Sequence, residues 1–214
     1  MFISFEGNEG TGKSTQLHAV KEALENKGFK IVTVREPGAT PVGEAIRKIF
    51  KAPPEKTELT GWCEAFLISA ARHQLVNDVI EPELKKNSIV VADRYIDSTL
   101  VYQGIAKNLP FEEIKNICQI ATHGRMPDMT FLFHAPIEII KERIQSRLNL
   151  EKKPEADRFD NADLETIENL SQAFDKVAKM FPGRITKIDS TQPADSITKL
   201  VVEKILAYQN NAES

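Results

Sequence analysis

The stretch Gly7-Asn8-Glu9-Gly10-Thr11-Gly12-Lys13-Ser14 has the spacing Gly-x-x-x-x-Gly-Lys-Ser, which is the phosphate-binding P-loop pattern. The short apolar segment 2–5 precedes it, and apolar positions at helical spacing begin directly after it, within residues 15–20. A strand, a glycine-rich loop and a helix in this order form the context that confirms the motif. A chance glycine-rich turn is the alternative interpretation, and the complete motif in its proper place argues against it.

The P-loop pattern assigns a chemical role to the start of the chain. Backbone N–H groups of such a loop and the positive end of the following helix both face bound phosphate. Lys13 is expected to reach the β- and γ-phosphates of ATP, and the Ser14 hydroxyl is expected to ligate Mg²⁺. The residues that we assign to ATP binding are Gly7, Asn8, Glu9, Gly10, Thr11, Gly12, Lys13, Ser14 and Thr15.

Composition limits the classes of protein that the chain can belong to. Its 214 residues favour one domain, which we place at 1–214, and the net charge of −3 argues against a nucleic-acid partner. No signal-peptide pattern and no apolar run of membrane-spanning length is found, so we expect a cytoplasmic protein with no membrane partner. Cys63 and Cys118 stand far apart without a metal-binding cluster, and we expect both to be buried thiols, with a disulfide or a reactive thiol as the alternative.

Apolar segments with strand character alternate with segments of helical spacing along the whole chain. The predicted strands are 2–5, 31–34, 89–92, 130–133 and 185–188, and one predicted helix runs from about Cys63 to Ile80, where Pro82 closes it. This alternation predicts an α/β fold, a parallel sheet of about five strands with helices on both faces.

Polar residues follow the ends of the predicted strands, where ligands gather in open parallel sheets. Asp93 comes directly after the buried segment 89–92, as a Walker-B carboxylate that supports Mg²⁺ would. Arg94 can grip phosphate with its planar fork of donors. A structural ion pair is the alternative for these two residues, and an ordinary turn is the alternative for the segment that begins at Arg35.

Several motifs in order along the chain resemble those of bacterial thymidylate kinases, which are P-loop nucleoside monophosphate kinases. The segments that carry the resemblance are 5–16, 35–40, 69–72, 93–99, 102–104, 125–128 and 157–159, which span nearly the whole chain. Asp93-Arg94-Tyr95 together with Tyr102-Gln103-Gly104 is the most specific part. The resemblance implies a P-loop NTPase fold with a mobile lid, and ATP- and Mg²⁺-dependent phosphorylation of dTMP to dTDP.

The resemblance also implies roles for single residues. Glu9 corresponds to the acidic position at the sugar 3′-hydroxyl, Arg72 to the arginine at the pyrimidine edge, and Arg94 to the arginine between the two phosphate groups. Tyr102 and Gln103 correspond to residues beside the deoxyribose and the base. The expected acceptor site comprises Glu9, Arg35, Ile68, Arg72, Arg94, Ser98, Tyr102 and Gln103.

A charged segment at about 143–158 resembles the mobile lid of the family. A solvated surface is the usual interpretation of such a charge run. The P-loop here has Gly10-Thr11 and no arginine, and similar bacterial enzymes supply the positive group from the lid instead. We therefore expect Arg147 or Arg158 to be catalytic beside Lys13 and Arg94.

One departure from the family pattern leaves the acceptor open. Ile68 stands where the family stacks a phenylalanine on thymine, and the aromatic stacking contribution of about 0.5–1.5 kcal/mol is lost with it. A kinase for dUMP, dCMP or a nucleoside, or a degenerate paralogue that binds nucleotide without turnover, therefore remains an alternative. A regulatory GTPase is disfavoured, because the segment at Asn26-Lys27 lacks the aspartate of a guanine-reading motif. The resemblance further implies a homodimer packed through helices near 63–80 and 111–122.

Overall fold

A parallel sheet stands at the centre of the fold in the part of the chain that the structure describes. The computed structural model describes residues 1–151 and 164–212. The sheet order is β2-β3-β1-β4-β5, and every neighbouring pair is parallel. The strands are β1 (Phe2–Glu6), β2 (Ile31–Arg35), β3 (Ile89–Asp93), β4 (Met129–His134) and β5 (Ile185–Asp189). The prediction of about five strands from the apolar segments is confirmed.

Strand register brings the polar strand ends together at one edge of the sheet. Asp93 at the end of β3 is opposite Phe5 of β1 and opposite Arg35 of β2. On the other side, β1 pairs with β4, which ends at His134. The segment that follows β1 therefore leaves from the middle of the sheet, between the ends of two flanking strands.

Helices connect the strands in sequence order. They are α1 (Lys13–Glu25), α2 (Pro41–Lys51), α3 (Gly61–Leu75), α4 (Glu81–Lys85), α5 (Ile96–Thr99), α6 (Phe111–Thr122), α7 (Ile137–Glu151), α8 (Leu164–Met180) and α9 (Ala194–Ala212). A short 3₁₀ turn covers Pro54–Lys56, and π-helical turns at Val76–Ile80 and Leu100–Ala106 follow α3 and α5.

Apolar side chains of β1 enter two separate cores, one on each face of the sheet. Phe2 belongs to the cluster that contains Phe174 of α8, and its neighbour Ile3 belongs to the cluster that contains Val20 of α1 and Val201 of α9. Successive residues of a strand point to opposite faces, so this division follows from the pleat. The predicted three-layer arrangement with helices on both faces is confirmed.

The helical backbone around Pro82 continues further than the sequence predicts. The prediction that Pro82 closes the helix is wrong, because α4 extends the helical path to Lys85. The turn before it widens, and Glu81 N–H donates to the carbonyl of Val76, five residues back. Proline is also tolerated in the first turn of a helical segment, where its missing N–H is not needed.

Two helical segments near the site were not predicted. Helix α2 begins with a side-chain cap, in which Thr40 Oγ1 accepts from Gly43 N–H at 2.9 Å, and Pro41 occupies the first turn. Both are start signals of a helix that the sequence contains. The segment 96–106 carries residues of the predicted acceptor site, and the structure makes it helical throughout.

The two cysteines differ in exposure. Cys118 is buried as expected, but the expectation for Cys63 is wrong, because it lies on the exposed side of the first turn of α3. Within residues 1–151 and 164–212, no helix is both long and apolar enough to cross a membrane.

Candidate functional site

The loop between β1 and α1 is tightly enclosed by backbone from neighbouring elements. Gly7 has φ 133°, and a Cβ at this position would lie 2.3 Å from the carbonyl oxygen of Phe133 at the end of β4. Gly10 has φ 75°, and its Cβ would lie 2.8 Å from the carbonyl oxygen of Ile140 in α7. Only glycine fits such positions without displacing backbone, so the loop depends on both glycines.

Lys13 is folded into this loop. Its ammonium group donates to the carbonyl of Gly7 at 2.9 Å and to the carbonyl of Asn8 at 2.7 Å, and 6% of the residue is exposed. Burial lowers the pKa of Lys13 to about 8, and the nearby charge of Arg94 acts in the same direction. A positive group is thus held at the loop, where the P-loop pattern requires one.

The Asp93 carboxylate at the end of β3 fits the predicted metal site. Its Oδ1 is buried and has no hydrogen-bond partner among the described residues. Ser14, the other predicted ligand, is exposed in the first turn of α1. A buried carboxylate oxygen without a partner is costly unless a cation or a cation-bound water satisfies it. Asp93 and Ser14 therefore suit a hard cation such as Mg²⁺.

Two arginines from different elements hold the carboxylate of Glu9 in the P-loop. Arg94 Nη2 lies 3.1 Å from Oε1 of Glu9, and Arg147 Nη1 from α7 lies 3.3 Å from Oε2. Burial by itself would raise the pKa of Glu9, but the charges of Lys13, Arg94 and Arg147 outweigh burial and hold it well below its usual range. The site therefore favours negative charge at this point.

Arg94 occupies a backbone conformation that is unusual for a residue with a side chain. Its φ is 71°, in the left-handed region. Its Nη1 donates to the carbonyl of Gly7 at 3.0 Å and to Ser98 Oγ at 3.1 Å, and its guanidinium carbon lies 5.3 Å from the centre of the Tyr102 ring. Non-glycine residues in this conformation persist where surrounding contacts fix them, and such positions cluster at functional sites.

Glu6 at the end of β1 holds the residues that follow Arg94 in place through two hydrogen bonds. This role was not predicted from the sequence. It is buried, and it accepts from Tyr95 N–H at 2.8 Å and from Ser98 Oγ at 2.6 Å. Burial raises the pKa of Glu6 to about 7, and the carboxylate of Asp97 adds to the rise. The only signal in the sequence was its place beside the P-loop.

A pocket that opens to solvent adjoins the P-loop, and about 660 Å³ of space lies within it and its mouth. Most residues of the predicted acceptor site line it, namely Glu9, Ile68, Arg72, Arg94, Ser98, Tyr102 and Gln103. Arg35 does not line it, because its side chain is turned to Glu44, with Nη2 at 2.9 Å from Oε1. Arg47 of α2 lines the pocket on that side.

The guanidinium of Arg72, in the wall of the pocket, forms hydrogen bonds with neighbouring side chains. Its Nη2 lies 2.6 Å from Oε2 of Glu36, and Nη2 also donates to Thr99 Oγ1 at 2.8 Å. Its Nη1 donates to Cys118 Sγ at 3.5 Å, and 1% of Arg72 is exposed. Glu36 thus orients Arg72 towards the pocket from the end of β2.

The lid prediction extends over both described and undescribed residues. Of 143–158, the structure describes the part up to Glu151, which is the end of α7, and Arg158 lies outside the described residues. Arg143 donates to the carbonyl of Ser190 at 2.8 Å, whereas Arg147 reaches Glu9. Of these two described arginines, Arg147 is the one that pairs with a carboxylate of the P-loop, and Arg143 Nη1 lies beside the loop, 4.0 Å from where a Cβ on Gly12 would stand.

Comparison with known proteins identifies the family. The family model described as thymidylate kinase matches residues 5–201. The chain belongs to the thymidylate kinase family. The resemblance stated from the motifs is therefore confirmed.

Relatives in this family match the chain over nearly its whole length. A thymidylate kinase of an Exiguobacterium species is 38% identical over 203 residues, which cover 95% of this chain and 92% of the relative. A thymidylate kinase of Caldanaerobacter subterraneus is 36% identical, covering 99% and 98%. The crystal structure of thymidylate kinase from Ehrlichia chaffeensis superposes with a TM-score of 0.74 at 27% identity, covering 96% of this chain and 98% of that one. The P-loop NTPase fold expected from the motifs is confirmed.

An aromatic residue from α2 stands beside the position where the thymidylate kinase pattern expects a phenylalanine. Ile68 is buried in one apolar cluster with Phe50, and both line the pocket. Phe66, the nearest phenylalanine in sequence, is 57% exposed and stacks on Trp62, with ring centres 5.9 Å apart. Phe50 was missed because α2 was not predicted, although its helix-start signals were present.

Proposed function

We propose that this chain catalyses transfer of the γ-phosphoryl group of ATP to dTMP, which yields dTDP and ADP. The main structural support is that Arg94 and Arg147 contact opposite oxygens of Glu9, at the point where the P-loop meets the pocket. Residues 7–15 bind ATP, and the adjoining pocket takes the acceptor. The two sites meet at one group of positive charges, as direct transfer between two nucleotides requires.

The transfer needs alignment and charge compensation and no general base. An oxygen of the dTMP phosphate attacks the γ-phosphorus, a new P–O bond forms, and the bond from the γ-phosphorus to the β–γ bridging oxygen breaks as ADP leaves. The attacking phosphate is largely ionised at neutral pH. Lys13 contacts the β- and γ-phosphates, while Arg94 and Arg147 offset the negative charge that spreads over the transferred group.

Ser14 and Asp93 would hold Mg²⁺, which supplies electrostatic stabilisation of the phosphate oxygens when it is bound. The buried Oδ1 of Asp93 without a partner among the described residues supports this assignment. Glu9, Arg72, Tyr102 and Gln103 would place the sugar, the base and the acceptor phosphate. Ser98 supports Arg94 through their 3.1 Å contact, and Ile68 with Phe50 covers the base. For Arg35 we propose a peripheral role, through its ion pair with Glu44.

We further propose that the chain is a single kinase domain, 1–214, with a lid at about 143–158 that closes over ATP. The support is that α7 enters this segment and carries Arg147 to the P-loop. Closure would exclude water from the transferring group and limit ATP hydrolysis.

We also propose that the chain forms a homodimer and acts in the cytoplasm. Phe66 of α3 is 57% exposed and Ile120 of α6 is 74% exposed, so each helix of the expected dimer contact presents a large apolar side chain to solvent. Exposed apolar residues that cluster mark interaction sites. ATP and deoxynucleotides are available in the cytoplasm, where we place the activity.

ADP release with dTMP, dUMP, dCMP and AMP as acceptors tests the proposed reaction. We expect dTMP to give the highest kcat/KM, and Lys13→Ala to lower kcat by about 10²–10³, because one positioned donor contributes that much. Lys21→Ala is the matched control, since Lys21 is on the same helix and forms a surface pair with Glu25. Higher kcat/KM for another acceptor, or near-normal turnover of Lys13→Ala, contradicts the proposal.

A further inference from the structure

We propose that Glu64 is a positioning residue that fixes the amide of Gln103, and that it thereby makes the pocket select pyrimidines that carry a hydrogen on N3. The inference rests on the proposed function, because it assumes that the pocket receives the base of a nucleoside monophosphate. Glu64 does not line the pocket, and it acts through Gln103, which does.

The Glu64 carboxylate and the Gln103 amide form a buried pair between α3 and the turn at Leu100–Ala106. Gln103 Nε2 donates to Oε2 of Glu64 at 2.9 Å, and both residues are at most 1% exposed. Lys107 Nζ lies 3.0 Å from the other oxygen of Glu64 and balances its charge. The two hydrogen bonds use different oxygens of Glu64, so the bond to Gln103 does not depend on the one to Lys107.

The chemistry of these groups determines which way the amide faces. An ionised carboxylate accepts hydrogen bonds and cannot donate them, whereas an amide offers a donor on one side and an acceptor on the other. The amino side of Gln103 therefore has to face Glu64, and the carbonyl side has to face away from it. A side chain that could otherwise turn over is held in one orientation.

The carbonyl oxygen of the Gln103 amide faces away from Glu64. Gln103 Oε1 is buried and has no hydrogen-bond partner among the described residues. A buried acceptor of this kind is costly to leave unsatisfied, so a ligand that supplies a donor is favoured over one that does not.

Pyrimidine bases differ at the atom that can meet this acceptor. Thymine and uracil carry a hydrogen on N3, whereas N3 of cytosine is an acceptor with no hydrogen. Opposite Gln103 Oε1, the first two would donate, and cytosine would place two acceptors face to face. The pair Glu64–Gln103 accordingly excludes dCMP, and it leaves the choice between dTMP and dUMP to contacts elsewhere in the pocket.

The experiment compares kcat/KM for dTMP, dUMP and dCMP in Glu64→Gln, with competition against dTMP where turnover of dCMP is too slow to measure. A glutamine at position 64 can donate or accept, so Gln103 can turn over. We expect the dTMP:dCMP ratio to fall at least about fivefold, since an unsatisfied buried group has a cost of that size. The dTMP:dUMP ratio should stay constant.

Lys107→Met is the matched control, because it removes the ion pair but keeps the Glu64–Gln103 bond. Both ratios should stay as in the wild type. Equal losses with all three acceptors in Glu64→Gln, or the same fall of the dTMP:dCMP ratio in Lys107→Met, would show a structural role only and overturn the inference. Wild-type turnover of dTMP tests the proposed function separately.

Gln103→Met keeps the inference testable if Glu64→Gln does not fold. It removes the acceptor and leaves the Glu64–Lys107 pair in place. We expect activity with dTMP and dUMP to fall by the same factor and the dTMP:dCMP ratio to fall with them. An unchanged dTMP:dCMP ratio in this variant overturns the inference.

Discussion

At the scale of single residues, Glu9 shows what kind of group the site stabilises. Its carboxylate accepts from Arg94 on one oxygen and from Arg147 on the other. The P-loop pattern predicts the position of Lys13, but it cannot show that a helix far along the chain brings Arg147 to the same point. The convergence of both arginines on one anion is the structural basis for assigning them to phosphate.

Phe50 is the residue that we expect to replace the missing aromatic contact of position 68. Phe50→Leu should raise the KM for dTMP about two- to tenfold, because an aromatic contact contributes about 0.5–1.5 kcal/mol beyond its buried area. Phe29→Leu, the same change outside the pocket, should leave KM unchanged. Adding Ile68→Phe to Phe50→Leu should restore binding. An unchanged KM in Phe50→Leu, measured by steady-state kinetics, contradicts this role.

Glu36, in the wall of the acceptor pocket, is expected to contribute strongly to the free energy of unfolding of the protein. Glu36→Gln leaves the guanidinium of Arg72, which is 1% exposed, without its counter-charge. Breaking a buried pair costs about 3–5 kcal/mol of unfolding free energy. Glu112→Gln, which breaks an exposed pair with Lys115, should cost less than about 1 kcal/mol. Urea unfolding at neutral pH measures both, and equal costs would contradict the assigned importance of burial.

At the scale of elements, α7 connects the predicted lid to the P-loop. The carbonyl oxygen of Ile140 in α7 lies close to Gly10, and Arg147 of the same helix contacts Glu9. Arg143 on the same helix is turned to the carbonyl of Ser190. The helix therefore brings two arginines to the P-loop, Arg147 at Glu9 and Arg143 beside Gly12.

Arg147→Ala should lower kcat by about 10²–10³ with a smaller effect on KM for ATP, because its charge is needed mainly in the transition state. Lys141→Ala, an exposed change on the same helix, is the control. Arg158→Ala is measured beside it, since both arginines are candidates from the lid segment. Near-normal kcat in Arg147→Ala would assign the catalytic charge to another residue.

The sequence predicts some elements well and others poorly, for physical reasons. Buried strands such as β3 are continuous apolar runs, and the P-loop has fixed glycine positions, so both can be recognised from residue types alone. Helix α2 was missed although Thr40 and Pro41 begin it, and with it the pocket residues Phe50 and Arg47. The direction in which the side chains of Arg35 and Arg47 point depends on their packing, and the spacing of residues along the chain does not reveal it.

At the scale of the whole molecule, exposed apolar side chains on α3 and α6 predict self-association. The wild-type protein should sediment as a dimer at micromolar concentration, and Phe66→Glu should shift it to monomer, because a charge would enter an apolar contact. Leu200→Glu on α9 is the control, since Leu200 is 42% exposed and lies outside the expected contact. A wild-type protein that sediments as a monomer contradicts the proposed dimer.

The parallel sheet was predicted from the alternation of apolar segments, and the family was predicted from the motifs. Interactions that join distant segments were not, and they include Glu6 with Ser98, Glu36 with Arg72, and Glu64 with Gln103. Each joins positions 36 or more residues apart, and a single sequence does not show which buried polar side chains meet.

The fate of the terminal phosphate of γ-labelled ATP distinguishes direct transfer to dTMP from hydrolysis. With wild-type protein, Mg²⁺ and dTMP, we predict that the label appears in dTDP in amounts equal to the ADP formed. Release of the label as inorganic phosphate, or no ADP formation in the presence of dTMP, would contradict direct transfer between the two nucleotides.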